Sequence, residues 1–124
     1  MSPRRGLPRR ETDPARLLPL TPLAFSILLA LADQDLHGYA IAQRIGERDA
    51  GSISLAPGNL YAAIDRLIDA GLVQRVPARG VPDSRRGREY RITALGRRTA
   101  ALEAGRLRAL LRTARRLELE PDEH

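Results

Sequence analysis

The sequence contains no cysteine, no tryptophan and no lysine. Without cysteine, the chain cannot form disulfides, thiolate metal sites or a cysteine nucleophile. The two histidines, His37 and His124, lie far apart and form no HExxH-type pair. Aromatic residues make up only 3% of the chain, too few for a surface that binds single strands by base stacking. These absences exclude several classes of metal, redox and single-strand-binding sites.

Candidate metal ligands and catalytic acids are also sparse. Asp33, Asp35 and His37 alternate in "DQDLH", but this spacing suits a metal site only if the segment is a strand and a further ligand is supplied from elsewhere. The segment lies between two predicted helices, where these residues can end one helix and start the next. No nucleophile, histidine or glycine-rich loop accompanies Asp65 and Asp69. We therefore expect no metal, no cofactor and no enzymatic activity.

The charge balance is positive. With 124 residues the chain has the size of one domain, and its 21 basic residues, all arginine, exceed its 15 acids to give a net charge of +6. Arginine is suited to bidentate contact with phosphates and base edges, which favours a nucleic-acid partner. A GC-rich coding background would also enrich arginine, so the positions of the charges carry the argument.

The apolar run "LAFSILLALA", residues 23–32, is about ten residues long and too short to cross a bilayer. Preceded by Arg9-Arg10 and containing Ala30-x-Ala32, it resembles a twin-arginine export signal. Acids and prolines interrupt that pattern, and a buried helix explains the same residues better. We therefore expect a cytoplasmic protein without a membrane segment.

The periodicity predicts a mostly α-helical fold with a small β-hairpin. Thr21 and Pro22 are suited to begin a helix that is apolar almost all round and so must be covered on two sides. One of those sides could be a second subunit. The next predicted elements are a helix over about 38–48, a helix from Pro57 with Gly71 as its C′ residue, strands over 72–76 and 88–93, and a helix over about 94–118.

This order of elements is that of a winged helix-turn-helix domain followed by a C-terminal dimerisation helix. The predicted boundaries are a flexible basic arm over 1–20, the DNA-binding domain over 21–94, the dimerisation helix over 95–118 and a tail over 119–124.

The third helix is the candidate element for the DNA major groove. Its apolar residues predict one buried face, and the small residues opposite allow close approach to bases. Asn59 can bind adenine and Arg66 can reach guanine or phosphate, while the helix N-terminus offers free amides to phosphate. An ordinary amphipathic surface helix is the alternative. The predicted DNA-facing residues are Pro57, Gly58, Asn59, Tyr61, Ala62, Ala63 and Arg66.

The hairpin carries most of the candidate phosphate contacts. Residues 72–93 contain six arginines and two acids, a net charge of +4. Arginines on a loop beside a groove-binding helix are suited to contact phosphate or the minor groove. Arg75 and Arg91 lie on the strands and could instead project away from DNA. The predicted contacts are Arg79, Arg85, Arg86 and Arg88.

Small and apolar residues step four and three positions along the last helix. Such a stripe can pack on its own domain, or helices from two subunits can pack together. Because the hairpin already closes the domain and the first helix needs a further cover, we expect a homodimer. Its predicted contacts are Leu23, Ile27, Ala104, Leu107, Leu110, Leu111 and Ala114.

Three segments resemble the PadR family of bacterial transcriptional regulators: "LTPLAFSILLALADQDLHGYAIAQRI", "LAPGNLYAAIDRLIDAGLV" and "RRGREYRITALGRR". They look like the family's first two helices, its recognition helix, and its second wing strand leading into the last helix. The resemblance implies a homodimer that binds a palindromic operator and usually represses transcription. It also implies that Tyr61 contacts the DNA backbone, and it makes Tyr39 a weaker candidate, since Tyr39 could instead lie in the core.

Two departures from the family pattern stand out. Ala62 occupies a position where members often have proline, which should not alter the fold. Some members bind flat aromatic effectors with tryptophans, which this chain lacks, so an effector of another kind stays open. A protein-docking winged helix is the rival to the DNA-binding function.

Overall fold

The computed structural model describes residues 13–49, 57–77, 88–119 and 121. The chain folds as a 3-10 turn (Pro14–Leu17), three helices, a two-stranded antiparallel sheet and a final long helix. The elements are α1 (Pro22–Ala30), α2 (Gly38–Asp49), α3 (Pro57–Asp69), β1 (Val73–Pro77), β2 (Arg88–Ile92) and α4 (Ala94–Arg116). The predicted winged-helix fold is confirmed. Among the described residues, no helix is both long and apolar enough to span a membrane.

The helix ends follow from local chemistry that the sequence already contains. The Thr21 hydroxyl accepts the Ala24 N–H at 3.1 Å and Pro22 occupies the first turn of α1, as predicted. Gly71 has a φ of +83°, a left-handed conformation that glycine adopts without strain, and it ends α3 as the C′ residue. Both caps are confirmed.

The two strands form a hairpin with Val73 opposite Ile92 and Arg75 opposite Tyr90. A third segment joins this sheet at one point, where Leu36 and Tyr90 exchange backbone hydrogen bonds of 3.2 Å and 2.8 Å. From the sequence, this segment is expected to be a plain connector. A single apolar residue between polar neighbours carries almost no strand signal, so the bridge depends on the tertiary fold.

The core is built around α1, which packs against α2, α3 and α4. Ile27 and Leu28 are completely buried within the chain, and Leu23 is half-buried. The prediction that Ile27 lies at a subunit interface is therefore wrong. Its own domain covers the side of α1 that bears Ile27, whereas Leu29, on another side of the helix, is 41% exposed.

The segment from Asp13 to Thr21 packs on the domain. The Asp13 carboxylate accepts the Ala15 N–H at 3.0 Å, the 3-10 turn contacts α4, and Leu17 and Leu20 pack against the core. The expectation of a flexible arm over 1–20 is wrong for this part, which we call the strap (residues 13–21). Residues 1–12 lie outside the described residues.

Candidate nucleic-acid interface

Helix α3 has one buried face and one exposed face. Leu60, Ile64 and Leu67 are at most 5% exposed and anchor the helix to the core. The opposite face is exposed and carries small or polar side chains, which leaves it narrow enough to enter a major groove. Its exposed members are Gly58, Asn59, Tyr61, Ala62 and Arg66, together with Asp65 and Asp69, and Pro57 is the first residue of the helix.

Ala63 does not belong to this exposed face. It is only 4% exposed and lines a shallow groove together with Leu17, Leu20 and Ala24. The expectation that Ala63 faces DNA beside Ala62 is wrong, because the strap covers this side of α3. Ala63 is one turn from both Leu60 and Leu67, so the buried face is wider than the leucine and isoleucine pattern indicates.

Tyr61 lies against the start of α2. A Cβ atom added at Gly38 would come within 2.6 Å of the Cε1 and Cζ atoms of the Tyr61 ring and would also overlap its hydroxyl oxygen. Only glycine therefore lets the ring occupy this place. Tyr61 remains 45% exposed, so one edge of the ring is free for a partner.

Tyr39 is the most exposed aromatic residue in the described part of the chain, at 68%. The alternative that it is a core residue is therefore wrong. Since Gly38 contacts Tyr61 and precedes Tyr39, the two exposed tyrosines lie near the starts of α2 and α3.

The strand arginines are tied to acids on neighbouring elements. Arg91 forks onto the Asp35 carboxylate with distances of 2.8 and 3.2 Å, and this hydrogen bonding and charge raise the pKa of the Arg91 guanidinium. Arg75 reaches Asp65 of α3 at 3.4 Å. These pairs bind the sheet to the Leu36 segment and to α3. They use Asp35, one of the three residues of "DQDLH" considered above as metal ligands.

The other wing arginines lie mostly beyond what the structure describes. Arg88 is the first residue of β2, whereas Arg79, Arg85 and Arg86 are outside the described residues. Their assignment to phosphate contacts stays a prediction.

The predicted subunit contacts on α4 are unevenly buried. Ala104, Leu107, Leu110 and Leu111 are exposed and Ala114 is half-buried. They continue, toward the C-terminus, the same side of the helix that buries Gly96, Thr99 and Glu103 in its first half. The second half of α4 thus presents an apolar stripe that its own domain does not cover.

Glu103 is a buried and paired carboxylate that the sequence pattern did not reveal. It is 2% exposed, forks onto Arg106 at 2.9 and 2.7 Å, and accepts a backbone hydrogen bond from Leu20 of the strap. The Arg106 hydrogen bonds and the Leu20 amide hold the pKa of Glu103 below its ordinary value, although burial opposes them. The sequence feature that could have indicated this pair is a single acid among the arginines of α4.

Comparison with known structures supports the architecture. A PadR family transcription regulator from Clostridium difficile superposes with a TM-score of 0.66 at 23% identity over 78% of this chain and 98% of that one. A transcriptional regulator from Clostridium thermocellum superposes with a TM-score of 0.65 at 21% identity over 76% and 87% of the two chains. At these identities the likeness concerns the fold.

Comparison of sequences identifies the family. A curated protein from Streptomyces fradiae, described as an uncharacterized 37.1 kDa protein in transposon TN4556, is 41% identical over 78 residues, or 63% of this chain. The chain spans 21% of that protein's length. Residues 27–102 match the transcriptional regulator PadR-like family, and this match includes α2, α3, the hairpin and the first part of α4. The chain therefore belongs to the PadR-like family of transcriptional regulators, for which DNA binding is a property of the family.

Proposed function

We propose that the protein is a homodimeric repressor that binds a palindromic operator through α3. The observation that carries this proposal is the exposed face of α3, where a tyrosine ring, an amide and a guanidinium surround small residues. Asn59 offers a bidentate amide suited to adenine, and Ala62 offers a methyl suited to thymine. Arg66, four residues further on, can reach guanine or a phosphate.

Positioning groups surround this face. The amides at the start of α3 can bind phosphate, and the Tyr61 ring seated on Gly38 can contact the DNA backbone beside them. Tyr39 extends the same surface. We assign the phosphate contacts of the wing to Arg79, Arg85, Arg86 and Arg88, whose charge does not depend on pH near neutrality.

Dimerisation follows from the uncovered stripe on α4. Leu107 is 38%, Leu111 44% and Leu110 55% exposed, which is unfavourable in water unless a second apolar surface covers them. A second copy packed through the same stripe would cover these leucines on both subunits, and we expect the two α3 helices of such a dimer to enter successive major grooves about 34–36 Å apart. Leu23, Ala104 and Ala114 belong to this proposed interface, whereas the buried Ile27 does not.

The family resemblance includes release by a small-molecule effector, and we extend the proposal to such regulation. The chain has no tryptophan, so its effector would not stack between indole rings.

Selection of bound sequences from random duplex DNA tests the proposal. We expect a palindrome whose half-sites are centred about 10–10.5 bp apart. A reporter promoter that carries the selected site should lose expression when the protein is present. Failure to enrich any sequence would favour the rival function, a winged helix that docks on protein, and a rise in reporter expression would indicate an activator.

The wing provides a second, independent test. Replacing Arg85 and Arg86 with alanine should weaken binding to selected and unrelated DNA alike, since phosphate contacts carry no sequence information. The slope of log K against log salt should flatten by about 0.9 for each phosphate that is no longer neutralised. Unchanged binding to unrelated DNA would contradict the division of roles between wing and helix.

A further inference from the structure

Helix α4 carries a concentration of charge that neither the proposed dimer stripe nor the α3 surface uses. Its 23 residues contain seven arginines and a single acid, Glu103. The helix thus has a net charge of +6, equal to the net charge of the whole chain. Glu103 is buried and paired with Arg106, and α4 contains no other acid. We call these the basic face: Arg97, Arg98, Arg108, Arg112, Arg115 and Arg116.

Helical geometry places the basic face on one side of α4. At about 100° per residue, its six members lie roughly opposite the side that bears Glu103 and continues into the apolar stripe. All six are exposed. From Arg97 to Arg116 the row extends about 28 Å at roughly 1.5 Å per residue. A dimer formed through the apolar stripe would therefore leave the basic face accessible.

Several arginines elsewhere in the fold have carboxylate partners. Arg44 contacts Asp33 at 2.8 Å, and Arg75 and Arg91 pair with aspartates on adjacent elements. Within residues 13–49, 57–77, 88–119 and 121, no ion pair involves five members of the basic face, which are Arg97, Arg98, Arg108, Arg112 and Arg116. Their charges repel one another along a single helix, a cost that a bound polyanion removes.

We propose that the basic face of α4 binds the phosphate backbone of a second duplex DNA segment, independently of sequence. The partner of the basic face must be rigid and must carry closely spaced negative charges over about the length of the arginine row. Duplex DNA carries one charge per about 1.7 Å of axis and completes a turn in about 34–36 Å, so the row extends over most of one turn.

The residues between the arginines also fit this partner. Ala101, Gly105 and Ala109 are small, so the guanidinium groups can approach a backbone without obstruction. Helix α4 has no aromatic residue, its leucine stripe lies on the other side, where a second copy would cover it, and Leu102 is a single exposed leucine at the edge of the basic face. A helix that binds an anionic membrane uses large apolar side chains beside its cations. Duplex DNA therefore fits better than a lipid surface.

This surface would let a dimer hold two DNA segments at once, one at the α3 helices and one at α4. The proposal rests on the DNA-binding function proposed above. The test uses the full chain with Asn59→Glu and Ala62→Glu, which place negative charge on the α3 face and oppose its entry into a groove. Binding of an unrelated duplex of roughly 30 bp, about three helical turns, is then measured between about 50 and 200 mM salt.

Two matched variants in this background separate charge from structure. Arg108→Gln, Arg112→Gln and Arg116→Gln remove three charges and keep good helix formers, whereas Lys at the same positions keeps the charge. We expect the glutamine variant to bind the unrelated duplex more weakly, with the wing arginines still contributing to the affinity that remains, and to flatten the salt slope by about 2.7. The lysine variant should retain both. Thermal unfolding checks that all variants fold.

Bridging gives a second readout in the protein with an unaltered α3. Bead-bound duplex is loaded either with this protein or with its Arg108/Arg112/Arg116→Gln variant, both with an unaltered α3. The first should capture a labelled second duplex at least about tenfold better than the second, a difference of about 1.4 kcal/mol. Equal capture by the glutamine and lysine variants would overturn the proposal. So would a glutamine variant that binds DNA normally but no longer binds phosphatidylserine vesicles or an acidic protein. Loss of sequence selection alone would contradict the proposed repressor function and leave this surface intact.

Discussion

Helices α3 and α4 differ in how much of each is buried and in which side chains they expose. Helix α3 has its apolar residues covered by α1, the strap and β1, and it exposes a short face with one arginine. Helix α4 buries only its first half, and it exposes leucines on one side and arginines on another. A helix whose packing is complete can hold a few side chains in place. A helix whose packing is incomplete is suited to assembly.

The charge of the two helices supports the same division. On α3, Arg66 is flanked by Asp65 and Asp69, and Asp65 pairs with Arg75 of β1. Base recognition depends on directed hydrogen bonds, so a nearly neutral face is no disadvantage when phosphate attraction comes from other elements. On α4 the arginines outnumber acids by seven to one, which favours binding without sequence preference.

The largest effect should come from breaking the apolar stripe of α4. Leu110→Glu with Leu111→Glu in both subunits would place several negative charges in the proposed dimer interface. We expect a monomer in analytical ultracentrifugation and a reduction of operator affinity by about 10²–10⁴-fold, because the two half-sites are no longer bound by linked modules.

A control for this prediction lies on the same helix. Leu102 is 44% exposed, as is Leu111, but it lies on a different side of α4. Leu102→Glu should leave the dimer intact. Dissociation of the dimer in this control, or a dimer that survives in the Leu110/Leu111 variant, would contradict the assignment of the stripe.

A second prediction separates base recognition from charge. Asn59→Ala should reduce discrimination at one base pair of the operator by about 1–3 kcal/mol, since it removes a bidentate pair of hydrogen bonds to the base. Binding to unrelated DNA should hardly change, and competition assays with single-base operator variants would measure both. The Arg108/Arg112/Arg116→Gln variant should instead bind unrelated DNA more weakly and keep the discrimination between operator bases. An equal reduction of affinity for all sequences with Asn59→Ala would contradict the recognition role of α3.

A third prediction concerns the seat of Tyr61. Gly38→Ala should lower the free energy of unfolding by about 1–3 kcal/mol, because the added methyl overlaps the Tyr61 ring and forces it to shift. Gly105→Ala on α4 meets open space and should instead stabilise the protein by about 0.5–1 kcal/mol. Urea denaturation of the two variants provides the comparison, and a stabilised Gly38→Ala protein would show that the ring is free to move.

The smallest effect should come from Glu103 and should depend on pH. The folded-state pKa of Glu103 is below its ordinary value, so its charge stabilises the fold above about pH 4–5, and this contribution disappears as the pH falls through the folded pKa. Glu103→Gln should be less stable than the original protein near neutral pH. The difference in unfolding free energy should shrink in acid. A difference that is the same across this range would contradict the role of the carboxylate charge.

Much of the fold was predictable because its signals are local. The Thr21-Pro22 cap, the left-handed Gly71 and the amphipathic pattern of α3 each depend on residues within one or two turns. The alternation of the hairpin strands is equally local, and its register brings Tyr90 and Ile92 to the buried side. Such features can be predicted from short segments because they do not depend on tertiary packing.

Two wrong predictions concern residues that the chain itself buries, Ile27 and Ala63. For Ala63 the reason is the strap, which the sequence predicts to be a free arm but which packs beside α3 and covers this side of the helix. The strap contains three leucines, of which Leu17 and Leu20 pack against the core beside α3, and Glu103 accepts a hydrogen bond from the backbone of Leu20.

The amino-acid sequence alone determined the element order, the caps, the narrow face of α3 and the excess of arginine on α4, because these depend on periodicity and side-chain chemistry. Only the tertiary structure decided which apolar residues are covered by the chain itself and which stay exposed. It also decided that Gly38 seats Tyr61 and that Leu36 bridges Tyr90. Burial depends on contacts between segments that are distant in sequence, so no single segment determines it.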